Sequence, residues 1–415
     1  MGQFCVTTEQ SSKVVGQLFF ISRVWKSRHG GSLYGRQLVN ELLRRGWRVT
    51  LLAERFDDDT KSRGSQRYEP HAERVWLEAF FRRGFLNWRR RISETLTLWK
   101  RIAHTPGALV IVQGDLPRVL YLLLQLRVPL IFIRQDAILT CPGNNRFLRR
   151  SRAVCRRPFG VACLGTHRKE GCLEGLSLPR QVGRLAFRAR DSLLLRQIRH
   201  FVVNSNCMVA AHRRPGFVLY PPRLVCQENG GAAARDLHRL VFCGRLEEAK
   251  GAADAVRILS LLPVQFYLEI LGDGAECERL ARMVQEYHLG NRVKFRGWVD
   301  SLTRDRILAS AGVLLMPSLW AEAYGMVGME ALAQGTPVVA YDVGGVSEWC
   351  RGQAGILVRC GDVGRASMAV RGLTEDPIRW AIHSCAAKRV AELEFPTDRF
   401  GRELDQLLRE VLKLS

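Results

Sequence analysis

The chain has 415 residues, of which 47% are hydrophobic and 25% are charged. These proportions are ordinary for folded proteins and exclude a mainly disordered or collagen-like chain, and the length suggests two or three domains. The unusual property is the charge: 63 Lys and Arg stand against 40 Asp and Glu, which gives a formal net charge of +23. Such an excess by itself suggests an anionic partner: nucleic acid, an acidic membrane surface or a phosphate-rich substrate.

The excess of positive charge lies in the first half of the chain. Residues 1–200 hold 37 Lys and Arg against 15 Asp and Glu, whereas residues 201–415 hold 26 against 25. Two halves that differ so much indicate two domains with different partners.

The N-terminus and the 12 cysteines indicate a cytoplasmic protein. Residues 1–12 are polar and include Glu9, so we expect a disordered start and no secretory signal. The most apolar stretch, 119–133, is interrupted by Gln125, Arg127 and Pro129, which predicts no membrane-spanning helix. In a long chain without a signal, cysteines are expected as reduced thiols or metal ligands.

Apolar runs alternate with amphipathic segments along the chain, which is typical of βαβ units and parallel sheets. A helix is predicted from Leu33 to Arg45, after a Gly30-Gly31 loop. In the first half, strands are predicted at 13–21, 47–53, 108–113, 129–133 and 201–204. In the second half, strands are predicted at 240–243, 266–271, 293–295, 313–316 and 337–341, and helices at 252–262, 276–288, 301–309 and 326–334.

These elements predict an α/β protein with two doubly wound, Rossmann-like domains. The N-terminal domain covers 13–217, with a Cys- and Arg-rich insert at 137–175, and the C-terminal domain covers 240–396. A hinge is expected at 218–239, which contains Pro221-Pro222 and a Gly pair. A charged amphipathic helix at 397–415 is expected to pack back on the N-terminal domain. Ligands in such folds bind where strand ends meet helix starts.

A paired-glutamate motif stands at such a junction in the second half. A strand is predicted to end near Pro317, a loop carries Glu322, and a helix begins near Gly325 and carries Glu330. The helix start offers free N–H groups and the positive end of a dipole, which suit a diphosphate. Carboxylates next to a phosphate site are useful if they accept hydrogen bonds from sugar or ribose hydroxyls.

A second motif supplies two cations. The predicted strand 240–243 leads into Gly244-Arg245 and then Lys250-Gly251. Arg245 suits bidentate phosphate binding and Lys250 adds a point charge, so the two could neutralise a diphosphate as it leaves. The alternative for each pair is structural: solvated glutamates on a helix surface, and ion pairs of these cations with Glu247 or Glu248.

Together these motifs make the second half resemble the GT-B glycosyltransferases of family 4, a retaining group related to glycogen synthase. The resemblance implies two Rossmann-like domains facing a central cleft, a nucleotide-diphosphate sugar as donor, and no catalytic metal or other required cofactor. It implies that Arg245 and Lys250 bind the diphosphate, that Glu330 binds the ribose, and that Glu322 holds the donor sugar. It also implies donor contacts at Gly31, Gly297, Trp298, Gly325, Met326 and Val327.

The first half fits this family more loosely. Gly31 would approach the donor phosphate, or would belong to an ordinary tight turn. Members of the family often carry a histidine where this chain has Gln135, which can hydrogen-bond a sugar but cannot act as a base. Asp136 could orient an acceptor hydroxyl or could only cap a loop.

Two features of the first half leave alternatives open. Cys141, Cys155, Cys163 and Cys172 lie in the insert without a Cys-x-x-Cys pair, so they are weak candidates for a structural metal against reduced packing cysteines. The segment 80–101 mixes aromatics with arginines, which suits an anionic membrane surface. The alternative is a helix on the sheet with Ile92, Leu96 and Trp99 packed inward.

The sequence therefore predicts a retaining hexosyltransferase that acts in cell-surface polysaccharide or lipid-linked glycan synthesis. The alternative is a nucleic-acid or anionic-membrane binding protein on a catalytically idle GT-B scaffold; the near-neutral second half and its paired glutamates argue against nucleic acid. A nicotinamide dehydrogenase would need Gly-x-Gly-x-x-Gly after a strand, which neither half has. The basic first half predicts an anionic or lipid-linked glycan as acceptor, and contact with the inner face of the cell membrane.

Overall fold

The structure is a computed structural model that describes most of the chain. The described residues are 15–22, 24–25, 30–53, 55–56, 72–76, 88–114, 123–126, 128–137, 140–143, 146–157, 159–160, 162–173, 176–222 and 235–413. The predicted disordered start and most of the predicted hinge lie outside them. The chain divides into two compact units, the first holding the described residues up to Ile133 and from Val411, the second those from Arg134 to Glu410.

A parallel sheet organises the first half of the chain. Among the described residues it has seven strands in the order β11-β10-β7-β6-β1-β3-β5. Strands β6 and β7 are buried along their whole length, as expected for parallel strands covered on both faces. The bounds are β1 Gly16–Ser22, β2 Val24–Trp25, β3 Trp47–Ala53, β4 Arg55–Phe56, β5 Glu73–Trp76, β6 Leu109–Gln113, β7 Leu130–Arg134, β8 Phe147–Leu148, β9 Ala153–Val154, β10 His200–Val203 and β11 Phe217–Val218.

The helices of this half differ from the prediction in two places. Helix α1 begins at Gly30, so the glycine pair forms its first turn instead of a loop before it. In α2, the prediction that Leu96 and Trp99 pack inward is wrong: both are exposed, and Leu98 and Ile102 are buried instead. The bounds are α1 Gly30–Arg44, α2 Trp88–Ala103, α3 Ala162–Glu170, α4 Leu178–Leu195 and α5 Asn206–His212.

The cysteine-containing insert is more regular than its sequence indicates. It contains a short antiparallel hairpin of β8 and β9, and the helix α3. Among all helices of the described residues, none is both long and apolar enough to cross a lipid bilayer.

A second parallel sheet organises the rest of the chain. It confirms the five strands predicted there and adds one, Gly355–Val358, that was not predicted. Its six strands, counted within the described residues, have the order β14-β13-β12-β15-β16-β17. The strands are β12 Asp236–Cys243, β13 Tyr267–Leu271, β14 Val293–Gly297, β15 Ala311–Met316, β16 Val338–Tyr341 and β17 Gly355–Val358. The helices are α6 Ala252–Ser260, α7 Cys277–Glu286, α8 Ser301–Ala309, α9 Met326–Ala333, α10 Val363–Thr374, α11 Pro377–Arg389 and α12 Thr397–Lys413.

The direction in which successive strands are added to the second sheet reverses beside β12, and this reversal predicts where a ligand binds. The chain builds outward from β12 through β13 to β14, then returns to the other side of β12 with β15. Ligands of such sheets bind at the carboxyl ends of the strands beside this reversal, here the ends of β12 and β15. Both sequence motifs begin there.

Candidate active site

The paired-glutamate motif lies where strand β15 ends and helix α9 begins, as predicted. Gly325 precedes the helix with φ +83°, and a Cβ at this position would lie 2.4 Å from Cε of Met316. Glycine adopts this left-handed conformation without steric penalty and leaves the helix start open. The backbone of Met326 and Val327 forms the first turn of α9. Free N–H groups in a first helical turn attract anions.

Glu322 is buried and is held by two hydrogen bonds. Its Oε1 accepts from Nζ of Lys250 at 2.7 Å and from Oγ of Ser318 at 2.8 Å. Burial alone would raise the pKa of Glu322, but the charge and hydrogen bond of Lys250, together with smaller contributions that include the hydrogen bond of Ser318, hold the pKa below its usual value. Glu322 is therefore ionised at neutral pH, so it can accept hydrogen bonds from hydroxyls but does not act as an acid.

Lys250 reaches Glu322 because the loops after β12 and β15 pack closely. Lys250 ends the 3₁₀ turn Glu248–Lys250, and Gly251 follows with φ +75°. A Cβ on Gly251 would lie 1.8 Å from the carbonyl oxygen of Pro317, so only glycine permits this contact. Nζ of Lys250 also lies 4.7 Å from the ring centre of Trp320, which favours a cation there.

Arg245, the other cation of the motif, is more exposed. Its side chain is 55% exposed and pairs with Glu247. This is one of the two ion pairs that the sequence left open as an alternative, whereas Lys250 pairs with Glu322. The structure thus brings Lys250 and Glu322 together, whereas Arg245, five residues before Lys250 in the loop after β12, faces solvent.

Glu330 is buried in helix α9 and pairs with Arg304 of helix α8. Nη1 of Arg304 lies 2.8 Å from Oε1 of Glu330, and the same guanidinium contacts Asp305. Burial raises the pKa of Glu330; the charge of Arg304 opposes this and Asp305 adds to it. Arg304 was missed by sequence reasoning, because nothing local marks an arginine in a helix as the partner of a carboxylate in the next one.

Two further glycines bring the strand ends of this sheet together. The N–H of Gly244 donates to the carbonyl of Leu271 at 2.9 Å, and that of Gly272 donates to the carbonyl of Gly297 at 2.8 Å. A Cβ on Gly272 would lie 1.9 Å from the carbonyl oxygen of Gly244. Gly297 therefore lies at the same sheet edge as Gly244, and Trp298, whose side chain is 47% exposed, follows it.

Gln135 and Asp136 follow the end of strand β7. Asp136 forms an ion pair with the buried Arg134, and its carbonyl oxygen lies 3.0 Å from Nε2 of His212. Burial, followed by the charge of Arg134, lowers the pKa of His212 to about 3. The imidazole is therefore neutral and donates its Nε2–H to the carbonyl, which fixes the loop. No local sequence pattern marks His212 as a partner of this loop. Gly31 lies in the first turn of α1, in the other compact unit.

The cysteines of the insert are reduced and partly buried. Sγ of Cys141 accepts the N–H of Arg146 at 3.3 Å. Burial raises the pKa of Cys172 to about 11, with smaller contributions from the thiols of Cys141, Cys155 and Cys163. Within the described ranges, no group of three or more His, Cys, Asp or Glu side chains is arranged to hold a metal ion. The structural metal, and the absence of a required cofactor, both stay predictions.

Part of the chain matches a known protein family. Residues 230–389 match the family model described as glycosyl transferases group 1. The glycogen synthase of Mycobacterium tuberculosis is 31% identical over 160 residues, which are 38% of this chain and 38% of that protein. The lipopolysaccharide core biosynthesis glycosyltransferase LpsE of Rhizobium meliloti is 36% identical over 134 residues, 32% of this chain and 38% of that protein. The matched region thus spans well under half the length of these relatives.

Comparison with solved structures extends over almost the whole chain. The crystal structure of Anabaena Alr3699/HepE in complex with UDP and glucose aligns with a TM-score of 0.68, over 95% of this chain and 100% of that chain, at 17% identity. The fold is therefore that of the GT-B glycosyltransferases, as the sequence predicted.

Proposed function

We propose that this chain, which carries a group 1 glycosyl transferase domain on a GT-B fold, transfers a sugar from a nucleotide-diphosphate sugar to an acceptor hydroxyl. The observation that carries the proposal is the 2.7 Å contact between Lys250 and the buried carboxylate of Glu322, in the loop that leads to helix α9. One ammonium, one ionised carboxylate and one open helix start supply, side by side, what a diphosphate and a sugar require.

The donor is assigned to the carboxyl edge of the second sheet. Glu330 binds the ribose hydroxyls and Glu322 the sugar hydroxyls, since both are buried acceptors. Lys250, Arg245 and the N–H groups at Gly325, Met326 and Val327 bind the diphosphate. Gly297 and Trp298 face the base. The bound UDP of Alr3699/HepE supports a nucleotide of this type.

The reaction is proposed to retain the anomeric configuration. The bond between sugar and diphosphate breaks with oxocarbenium character, and Lys250, Arg245 and the helix start stabilise the charge on the departing diphosphate. Glu322, hydrogen-bonded to Lys250, is assigned to the sugar hydroxyls and is not available as a nucleophile. The acceptor hydroxyl oxygen forms the new bond to the anomeric carbon on the face from which the diphosphate departs. We assign the base that takes the hydroxyl proton to a phosphate oxygen of that departing diphosphate. No metal takes part in this scheme.

The acceptor is proposed to be anionic or to stand at an anionic membrane face, as in a lipid-linked glycan. The support is the charge distribution, with 37 basic against 15 acidic residues in 1–200. LpsE, a relative named for lipopolysaccharide core biosynthesis, is consistent with cell-surface polysaccharide or glycolipid synthesis.

The acceptor assignment can be tested by salt. Raising the salt concentration should weaken acceptor or membrane binding more than nucleotide binding. Equal weakening of both contradicts the assignment.

The deciding experiment is a panel of UDP-, GDP- and ADP-sugars tested by thermal shift and by hydrolysis. One nucleotide should raise the melting temperature, and Glu322→Ala should abolish sugar transfer while keeping part of that shift. Glu375→Gln is the control, because Glu375 lies in an exposed pair with Arg371 at the end of helix α10. Binding without turnover of any sugar would favour the idle scaffold, and normal turnover by Glu322→Ala would refute the role of Glu322.

A further inference from the structure

Glu348 accepts an unusual set of hydrogen bonds for a residue outside the donor motifs. It ends the 3₁₀ turn Gly344–Glu348, which follows strand β16. Its carboxylate accepts the backbone N–H of Asn206 at 3.0 Å, the backbone N–H of Cys207 at 2.8 Å and the hydroxyl of Tyr220 at 2.8 Å. The side-chain amide of Asn206 is a fourth donor at 3.3 Å.

The two backbone donors are the first N–H groups of helix α5. The third, from Met208, is taken by Oγ of Ser205 at 3.2 Å. A helix start needs acceptors for these groups, and a carboxylate also interacts favourably with the positive end of the helix dipole. Glu348 therefore completes a helix cap from a distant part of the chain, which makes the contact both directional and charged.

The other end of the turn that carries Glu348 is hydrogen-bonded to the loop of residues 317–325 between β15 and α9, here called the Glu322 loop. The N–H of Gly345 donates to the carbonyl oxygen of Glu322 at 2.8 Å. Gly344 has φ +61°, and a Cβ there would lie 2.0 Å from that same oxygen. After Glu348, Trp349 donates its indole N–H to the carbonyl of Tyr324 at 2.5 Å. The backbone carbonyls of Glu322 and Tyr324 are thus held by the Gly344–Glu348 turn and by Trp349, which follows it.

Tyr220 forms a second connection between the same two regions. Its hydroxyl binds Glu348, and its ring packs against that of Tyr324, with ring centres 5.9 Å apart. Tyr220 lies two residues after strand β11, whereas Tyr324 lies between Glu322 and Gly325. A shift of Glu348 would therefore be passed to the Glu322 loop by hydrogen bonds and by ring packing.

We propose that Glu348 is a positioning residue for sugar transfer, which holds the Gly344–Glu348 turn against helix α5 and Tyr220 and thereby fixes the Glu322 loop. The inference rests on the proposed function. A misplacement of about 1 Å at a reacting group can lower a rate about 100-fold, so a residue that touches no substrate can control turnover in this way. Nucleotide affinity should depend less on Glu348, because Glu330 and Arg245 are held by other contacts.

The test compares Glu348→Ala and Glu348→Gln with the wild type. We expect Glu348→Ala to lower kcat about 10- to 100-fold while the nucleotide Kd changes less than about 3-fold. Glu348→Gln keeps one acceptor oxygen and should recover part of kcat. Glu394→Ala is the matched control, since Glu394 pairs with Arg351 at the surface. An unchanged kcat in Glu348→Ala, or a fall in kcat matched by the loss of nucleotide affinity, overturns the inference.

A gentler variant and a second readout cover the case in which Glu348→Ala does not fold. Tyr220→Phe removes one hydroxyl donor and keeps the ring. It should lower kcat less than Glu348→Ala does, and its effect should be smaller in the Glu348→Gln background, where the hydroxyl meets at most one uncharged acceptor oxygen. Amide exchange should rise at residues 206–207 and also at 322–325 in Glu348→Gln. Faster exchange at 206–207 alone refutes the linkage. A wild type that binds no nucleotide refutes the proposed function instead, and leaves the exchange result to judge the linkage.

Discussion

Arg304→Met isolates the electrostatic role of the arginine that sequence reasoning missed. Methionine keeps much of the length and apolar volume of the side chain but removes the guanidinium that lies 2.8 Å from Glu330. The Glu330 side chain is 7% exposed and also faces Asp305, so the variant leaves a buried carboxylate beside a second one. Breaking one side of a buried ion pair costs about 3–5 kcal/mol.

The magnitude depends on pH because Glu330 can take up a proton instead of staying charged. From a usual glutamate pKa, protonation costs about 3.7 kcal/mol at pH 7 and about 1 kcal/mol at pH 5, at 1.36 kcal/mol per pKa unit. Burial raises the pKa of Glu330 in the folded state, so the folded protein binds this proton more tightly than the unfolded chain. The destabilisation of Arg304→Met should therefore grow as the pH rises from 5 to 7.

Thermal unfolding of the wild type and Arg304→Met at several pH values measures this. We expect the melting temperature to fall by about 7–15 °C at pH 7 and by about 2–4 °C at pH 5, taking about 2–4 °C per kcal/mol for a domain of this size. The double variant Arg304→Met/Glu330→Gln carries no buried charge at this pair and should recover stability at pH 7. Arg371→Met, which breaks an exposed pair with Glu375, is the surface control. A loss independent of pH, or no recovery in the double variant, refutes the electrostatic account.

Two other substitutions test the loop around Lys250. Lys250→Met removes the charge that holds the pKa of Glu322 down. The pH at which residual sugar-nucleotide hydrolysis is lost on acidification should therefore rise, and it should rise less in Lys250→Arg. An unchanged pH profile in both variants contradicts the pairing of Lys250 with Glu322. Gly251→Ala places a Cβ 1.8 Å from the Pro317 carbonyl oxygen, whereas Gly361→Ala, at φ +84°, meets open space. Denaturant unfolding should show about 1–2 kcal/mol lost in Gly361→Ala and clearly more in Gly251→Ala, with loss of nucleotide binding; equal losses would mean that conformation alone, without the clash, explains the glycine.

The local features of the site were predictable from the sequence, and its pairings were not. Hydrophobic periodicity located five of the six strands described in the second sheet and the junction that carries Glu322, Gly325 and Glu330. Arg304 and His212 were not predicted, since each acts on a residue far away along the chain. The inward face of α2 was predicted wrongly. The helix carries two sets of apolar residues at helical spacing, Leu96 with Trp99 and Leu98 with Ile102, and the sequence alone does not show which set is buried.

The sequence by itself determined most of the order of strands and helices, the place where the Gly325 helix begins, and the uneven charge of the two halves. These are local or additive properties, which depend on spacing and composition. Only the tertiary structure decided that Lys250 pairs with Glu322 while Arg245 pairs with Glu247, and that Glu348 holds the turn behind the Glu322 loop. Partner choice depends on which strand ends the fold brings together, and burial then sets whether each carboxylate keeps its charge.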